Sequence, residues 1–253
     1  QLPLLAKNGA GTIVIPAGGI GLTDDPVTTG VPPSSPGSIT SITISGVTIT
    51  VVGEGFEVKP STAAFLGKEQ RTALTKNFDE SWDEKLGGWG ENQKYIDADS
   101  MDLAITRAEA GDAISIKRAR QTLDAATALI DPVWGGVYQY SEGGSWTKAH
   151  FEKIMSFQAQ YLRQYSQAYA LWQDPKYLAA ARDIERYLAA FLTGPEGAFY
   201  VSQDADLNHD TDGHKYYALS DAERRKLGMP RIDRNMYARE NGWAISGFAA
   251  FYN

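Results

Sequence analysis

A short glycine-aromatic loop occurs three times in this chain, at Gly87-Gly88-Trp89, at Trp134-Gly135-Gly136-Val137-Tyr138 and at Glu196-Gly197-Ala198-Phe199-Tyr200. A recurrence of roughly 50–60 residues, with a helix on either side, is the signature of an internal repeat of helical hairpins. One such hairpin cannot bury its apolar face alone. It must stack on its neighbours in a solenoid or close with them into a toroid.

The stretches between the loops read as helices. Lys68 to Trp82, Ala98 to Ala110 and Ala113 to Ile130 carry apolar residues at helical spacing. From Ala149 to Trp172 the residues Phe151, Ile154, Phe157, Tyr161, Leu162, Tyr165, Ala168, Tyr169 and Trp172 form one broad stripe. Asp174-Pro175 predicts an N-cap with proline at the first helical position, opening a helix to about Leu192. Ser220 with Glu223 is a capping box for a short helix ending near Gly228, and Tyr237 to Phe251 makes the last helix. Six long helices are about half of what a six-hairpin toroid requires.

The first 66 residues differ in kind. They hold only six charged side chains (Lys7, Asp24, Asp25, Glu54, Glu57, Lys59), two aromatics (Phe56, Phe65) and none of the six Trp. That shift predicts a boundary between a segment 1–66 and a helical domain 67–253. Pro26 to Pro36 reads as an extended linker. Ile39 to Val52 reads as a β-hairpin about Ser45-Gly46. The glycines at 9–11 and 18–21 lack the Lys-Ser/Thr or third Gly of a phosphate-binding loop. The expected fold is therefore mainly α, an incomplete (α/α) toroid of about half a six-hairpin barrel, with an N-terminal extension containing a β-hairpin.

Composition removes several functions. There is no Cys, so disulfides, thiolate metal sites and thiol redox chemistry are excluded within these residues. A net charge of −7 argues against bulk electrostatic binding of nucleic acid. No apolar run reaches the length of a membrane span. The residues do not determine a compartment, the periplasm being favoured.

Several blocks resemble one family. Gly87-Gly88-Trp89-Gly90 with Gln93-Lys94-Tyr95, Asp131-Pro132-Val133-Trp134-Gly135-Gly136-Val137-Tyr138, His150-Phe151-Glu152-Lys153-Ile154-Met155 and Ser202-Gln203-Asp204-Ala205-Asp206 are similar to the helical part of the thioredoxin-domain-containing proteins of the spermatogenesis-associated thioredoxin-like type. The resemblance covers roughly residues 68–252. It implies an (α/α) toroid similar to six-hairpin glycosidases and N-acylglucosamine 2-epimerases, preceded in the family by a thioredoxin-like domain whose redox cysteines are absent here. It implies a fold rather than a reaction. In the family the toroid continues past Asn253, so an open apolar flank is expected, covered by a protein partner or by a missing C-terminal half.

The chemistry candidates are His150, Asp131, Asp204 and Asp206. His150, at the predicted start of the longest helix, would be kept neutral by the helix dipole and suits general acid or base work. The bland alternative is a histidine hydrogen-bonded between loops. Asp204 and Asp206 alternate in an extended segment and would face one side, with Asp131 as the opposite carboxylate of a glycosidase-like pair. Otherwise they cap backbone amides. Glu152 and Lys153 read as structural ion-pair partners, Lys153 with a loop carboxylate. Asn208 to Gly213 imitates half a calcium loop, but Leu219 stands where a bidentate Glu belongs, so a solvated acidic turn is expected and neither metal nor cofactor is called for. Trp89, Trp134, Tyr138, Trp146 and Tyr200 are candidates to stack on a sugar ligand, or else caps of the core. The sequence thus supports a carbohydrate-binding or carbohydrate-active protein. The alternative is a non-catalytic scaffold subunit held in a complex by its N-terminal extension.

Overall fold

The computed structural model describes residues 67–253 and, before them, the backbone of five strands. The chain divides into two compact units, Gln1–Thr75 and Lys76–Asn253. In the first, β1 (Leu4–Leu5) pairs with β5 (Glu57–Val58), and β2 (Ala10–Ile15), β3 (Ser38–Ser45) and β4 (Thr48–Glu54) form an antiparallel sheet in the order β2-β4-β3. β3 and β4 are the predicted hairpin, in register from Ser45 opposite Thr48, with an irregularity between Ile39 and Ser41. The sequence predicts these two strands alone. The third strand, β2, pairs Ile15 with Ile49 and occupies the second edge of β4, which would otherwise present unpaired amides. The expected linker over 26–36 and the glycines at 18–21 lie outside the described residues.

Eight helices follow. α1 (Lys68–Glu80), α2 (Ala98–Glu109) and α3 (Ala113–Ala126) match the apolar spacing, and α3 tightens into a 3₁₀ turn at Thr127–Leu129. Asp97 and Asp112 cap α2 and α3 by accepting from the backbone N–H groups of Ser100 and Ser115. The long stripe forms α4 (Met155–Trp172), and α5 (Pro175–Tyr187) starts at the predicted Asp174 cap and ends in a π turn at Leu188–Leu192. Beyond them lie α6 (Gly213–Tyr217), α7 (Asp221–Leu227) with its Ser220–Glu223 capping box, and α8 (Ala238–Tyr252).

α4 is the central element. It packs on α2, α5 and α8, and buries Met155, Tyr161, Leu162, Tyr165 and Ala168 completely. Its approach to α8 depends on Gly247, where a Cβ would stand 2.7 Å from the Ala159 carbonyl oxygen. No described helix is long and apolar enough to cross a membrane.

One prediction for α4 needs correction. Residues Ala149–Ile154 are not helical: β7 (Ala149–His150) pairs with β6 (Tyr140–Ser141), and β8 (Lys153–Ile154) pairs with β9 (Ser202–Gln203). A further strand, β10 (Ile232–Asp233), closes the order β10-β9-β8. Phe151 and Ile154 have helical spacing, but these ladders claim the backbone before the helix starts.

The glycine loops form equivalent turns. Asp83 N–H donates to Gly88 O and Gly87 N–H to Asp83 O, while Asp131 and Gly135 make the same bonds with Gly136 and Asp131. A buried lysine clamps each of the first two turns: Lys94 Nζ reaches Asp83 Oδ2 at 2.6 Å and Gly87 O at 3.2 Å, and Lys153 Nζ reaches Asp131 Oδ2 and Gly135 O, both at 2.8 Å. Each lysine also pairs through its backbone with a strand residue of the next repeat, Lys94 with Ser141 and Lys153 with Gln203. In the third turn, bridged by Thr193 and Phe199, Gly194 takes the aspartate's place.

Candidate functional site

Beneath the short strands lies a fully buried ionic cluster of Asp131, Lys153 and Arg224, each with zero side-chain exposure. Asp131 Oδ2 accepts from Lys153 Nζ at 2.8 Å and from Arg224 Nη1 at 2.7 Å, and Oδ1 accepts from Val133 N–H at 3.0 Å. Burial alone would raise the Asp131 carboxyl. The Lys153 ammonium and the Arg224 guanidinium outweigh it and hold the group below its ordinary value. Burial pushes Lys153 down to about 8, against the pull of Asp131. Arg224 spends its other donors on the carbonyls of Leu219 and Tyr217.

Aromatic rings enclose the charges. Lys153 Nζ stands 4.4 Å from the Tyr187 centroid, 5.1 Å from Tyr217 and 5.3 Å from Tyr138. Arg224 lies 5.1 Å from Trp134 and 5.0 Å from Tyr217. Such contacts partly replace lost hydration. Above them the half-buried Phe151 lies parallel to Tyr217 at 5.2 Å and edge-on to Tyr138 at 4.8 Å.

Partly exposed polar side chains flank Phe151 in the chain. His150 stacks on Tyr140 at 4.9 Å because β6 and β7 place them directly opposite, and its Nε2 lies 3.8 Å from Glu152 Oε2. His150 and Glu152 are 40% and 33% exposed. His214 packs edge-on against Phe151 at 4.9 Å. Gly213 leaves room for that ring, since a Cβ there would come within 2.9 Å of Phe151.

The structure distributes the predicted residues unevenly. His150 is in a strand, five residues before α4, so the helix-dipole argument for its neutrality does not apply. Asp204 accepts from Arg231 Nε at 3.0 Å, whereas Asp206 turns into its loop and accepts from Gly213 N–H at 2.6 Å. β9 stops at Gln203, so strand alternation does not extend to bring both carboxylates to one side. Phe151, against Gly213, joins the His150 segment to the Asp206 loop, while Asp131 lies in the buried cluster. Trp89, Trp134 and Trp146 are core residues whose indole N–H groups donate to Phe78 O, Asp221 Oδ1 and Leu86 O. Tyr138 is buried under Phe151, and Tyr200 is half-buried with Arg234 5.9 Å from its ring. In the Asn208–Gly213 turn, Asn208 Oδ1 accepts from the Asp210 and Thr211 amides and Asp212 Oδ1 from Lys215 N–H. Among the described residues no three His, Asp or Glu side chains gather around one point.

Sequence reasoning paired Lys153 with a loop carboxylate, as found, but missed Arg224, Gln203 and Tyr217. Arg224 sits in the charged run Glu223-Arg224-Arg225-Lys226, which looks like a solvated face.

Helical hairpins stacked around α4, with glycine-aromatic turns at their ends, define the class by fold: a mainly helical protein of the (α/α)-toroid fold. Among solved structures, a GH76 α-mannanase of Bacteroides thetaiotaomicron aligns with 73% of this chain and 49% of its own, at 16% identity and a TM-score of 0.51. The cellobiose 2-epimerase of Bacillus thermoamylovorans aligns over the same shares at 11% identity and a TM-score of 0.50. In sequence, the chain is 32% identical over 138 residues to human spermatogenesis-associated protein 20, covering 52% of this chain and 18% of that protein. A Caenorhabditis elegans protein is 30% identical over 158 residues, 58% of this chain and 22% of its own. The chain thus spans about a fifth of these curated relatives. No family model matches it.

Proposed function

We propose that the strand-rimmed mouth over Phe151 binds carbohydrate, with His150 as the group that moves a proton. The observation that carries this reading is the partly exposed His150, stacked on Tyr140 and 3.8 Å from the Glu152 carboxylate. A histidine held by a ring and faced by a carboxylate can accept a proton from a sugar carbon or hydroxyl and return it, as an epimerase requires. The Phe151 ring offers an apolar face to a pyranose, and Asp204 offers acceptors to its hydroxyls. In this reading Asp131 is a buried counter-ion, not an acid or base, because both of its oxygens are engaged. The toroid fold of mannanases and cellobiose epimerases supports the sugar class.

The test is calorimetric titration of the chain with cellobiose and α-1,6-mannotriose. His150→Ala is expected to weaken binding at least tenfold without lowering the melting temperature. Equal affinity in the variant removes this reading.

A second reading, a scaffold subunit within a larger assembly, is favoured by one observation. α8 leaves Trp243, Ile245 and Tyr252 exposed, Ile245 to 69%.

A further inference from the structure

The buried cluster is not charge-balanced. One carboxylate, Asp131, faces two cations, Lys153 and Arg224, all without exposure. Burying a surplus charge is costly, and structures normally neutralise it. Two buried hydrogen-bonding groups beside it are also unmet among the described residues: Gln203 Nε2 and Tyr217 Oη. Gln203 is the register partner of Lys153 across β8 and β9, so the two side chains share a face of the sheet. Its Oε1 accepts from the Tyr187 hydroxyl at 3.0 Å, and the Tyr187 ring lies 4.4 Å from Lys153 Nζ. Tyr217 carries its hydroxyl on a ring within about 5 Å of both cations.

The preceding repeat serves as an internal control. Lys94 makes the same clamp with a single carboxylate, Asp83, with no guanidinium on that carboxylate and no unmet buried atom on Asp83 or on Lys94 itself. Holding a glycine turn therefore requires neither a second cation nor an idle donor. Among the described residues both gather at the second glycine turn, where β9, α6 and α7 bring Gln203, Tyr217 and Arg224 to Lys153. Excess positive charge and unused donors are complementary to one kind of group, an anionic oxygen acceptor.

We propose that this end of the mouth receives the carboxylate of an acidic sugar, with Gln203 Nε2 and Tyr217 Oη donating to it and Lys153 and Arg224 supplying the charge. Phe151, half-buried on the Tyr217 ring, is the layer through which the group enters. The sugar part of this proposal rests on the reading of the mouth given above.

The experiment titrates the full chain with D-glucuronate and with D-glucose at equal ionic strength, alongside Tyr217→Phe and Gln203→Leu. Tyr217→Phe removes only a hydroxyl that has no partner among the described residues, so its melting temperature is expected to equal or exceed that of the wild type. The wild type is expected to bind glucuronate at least tenfold more tightly than glucose, and each variant to bring the two within twofold. No binding of glucuronate, equal binding of both sugars, or a preference that survives in Tyr217→Phe overturns the proposal. A chain that binds cellobiose or α-1,6-mannotriose but shows no glucuronate preference loses this inference and keeps the sugar mouth. One that binds none of the four loses both.

Discussion

Asp131 joins three parts of the chain, since its two oxygens hold its own turn, a lysine from β8 and an arginine from α7. Removing either partner of a buried pair leaves an uncompensated charge, at a cost of about 3–5 kcal/mol. The surplus cation makes the two sides unequal. Asp131→Asn leaves two buried cations facing a neutral amide, whereas Lys153→Met leaves a balanced Asp131–Arg224 pair. In urea denaturation Asp131→Asn is expected to lose about 3–5 kcal/mol or fail to fold, and Lys153→Met to lose distinctly less. The reverse order would mean that Lys153, not the carboxylate, organises the cluster. Part of this was legible in the residues: Lys153 reads as the partner of a loop carboxylate, whereas Asp131 reads as one half of a glycosidase-like carboxylate pair and proves to be that partner. Arg224 was not, because between Glu223 and Arg225 it is indistinguishable from a surface cation until α7 is folded onto the turn.

At the scale of elements, apolar spacing located all six long helices, and the Asp97, Asp112 and Asp174 caps lie where chain chemistry requires an acceptor. It failed at Ala149–Ile154. There Phe151 and Ile154 keep helical spacing, yet the backbone bonds to Tyr140–Ser141 and to Ser202–Gln203, the latter some fifty residues downstream. The glycine turns are under tighter steric control than their composition suggests. Gly135 has φ +74° and sits against α5, where a Cβ would approach the Asp183 carbonyl oxygen to 2.0 Å. That carbonyl belongs to a helix and cannot give way. Gly135→Ala is therefore expected to cost about 3 kcal/mol or more, from overpacking added to left-handed strain. Gly111 has φ +87° with open space around it, so Gly111→Ala is expected to cost only about 1 kcal/mol. Equal losses in thermal denaturation would show that backbone conformation, not contact with α5, is what the turn requires.

At the scale of the whole molecule, the flank formed by α8 is apolar in composition and exposed in the fold. Trp243, Ile245 and Tyr252 sit on one helix beside the half-buried Phe248 and Phe251. Apolar exposure of this kind favours association. Sedimentation of the wild-type chain is expected to shift with concentration over a hundredfold range, and Ile245→Glu to abolish the shift. A wild type that sediments as a monomer throughout would count against the scaffold reading. The sequence alone determined what depends on neighbours along the chain: the six long helices apart from the start of α4, the Asp174 cap and the Ser220–Glu223 capping box, the β3–β4 hairpin and the recurrence of the glycine turn. Each of these is set by periodicity, capping chemistry or the conformational freedom of glycine, all of which act within a few residues. Tertiary structure alone decided which carboxylate is buried, which rings are core and which donors are left idle. Those properties depend on segments 20 to 90 residues apart meeting at one point, and no local pattern encodes that meeting.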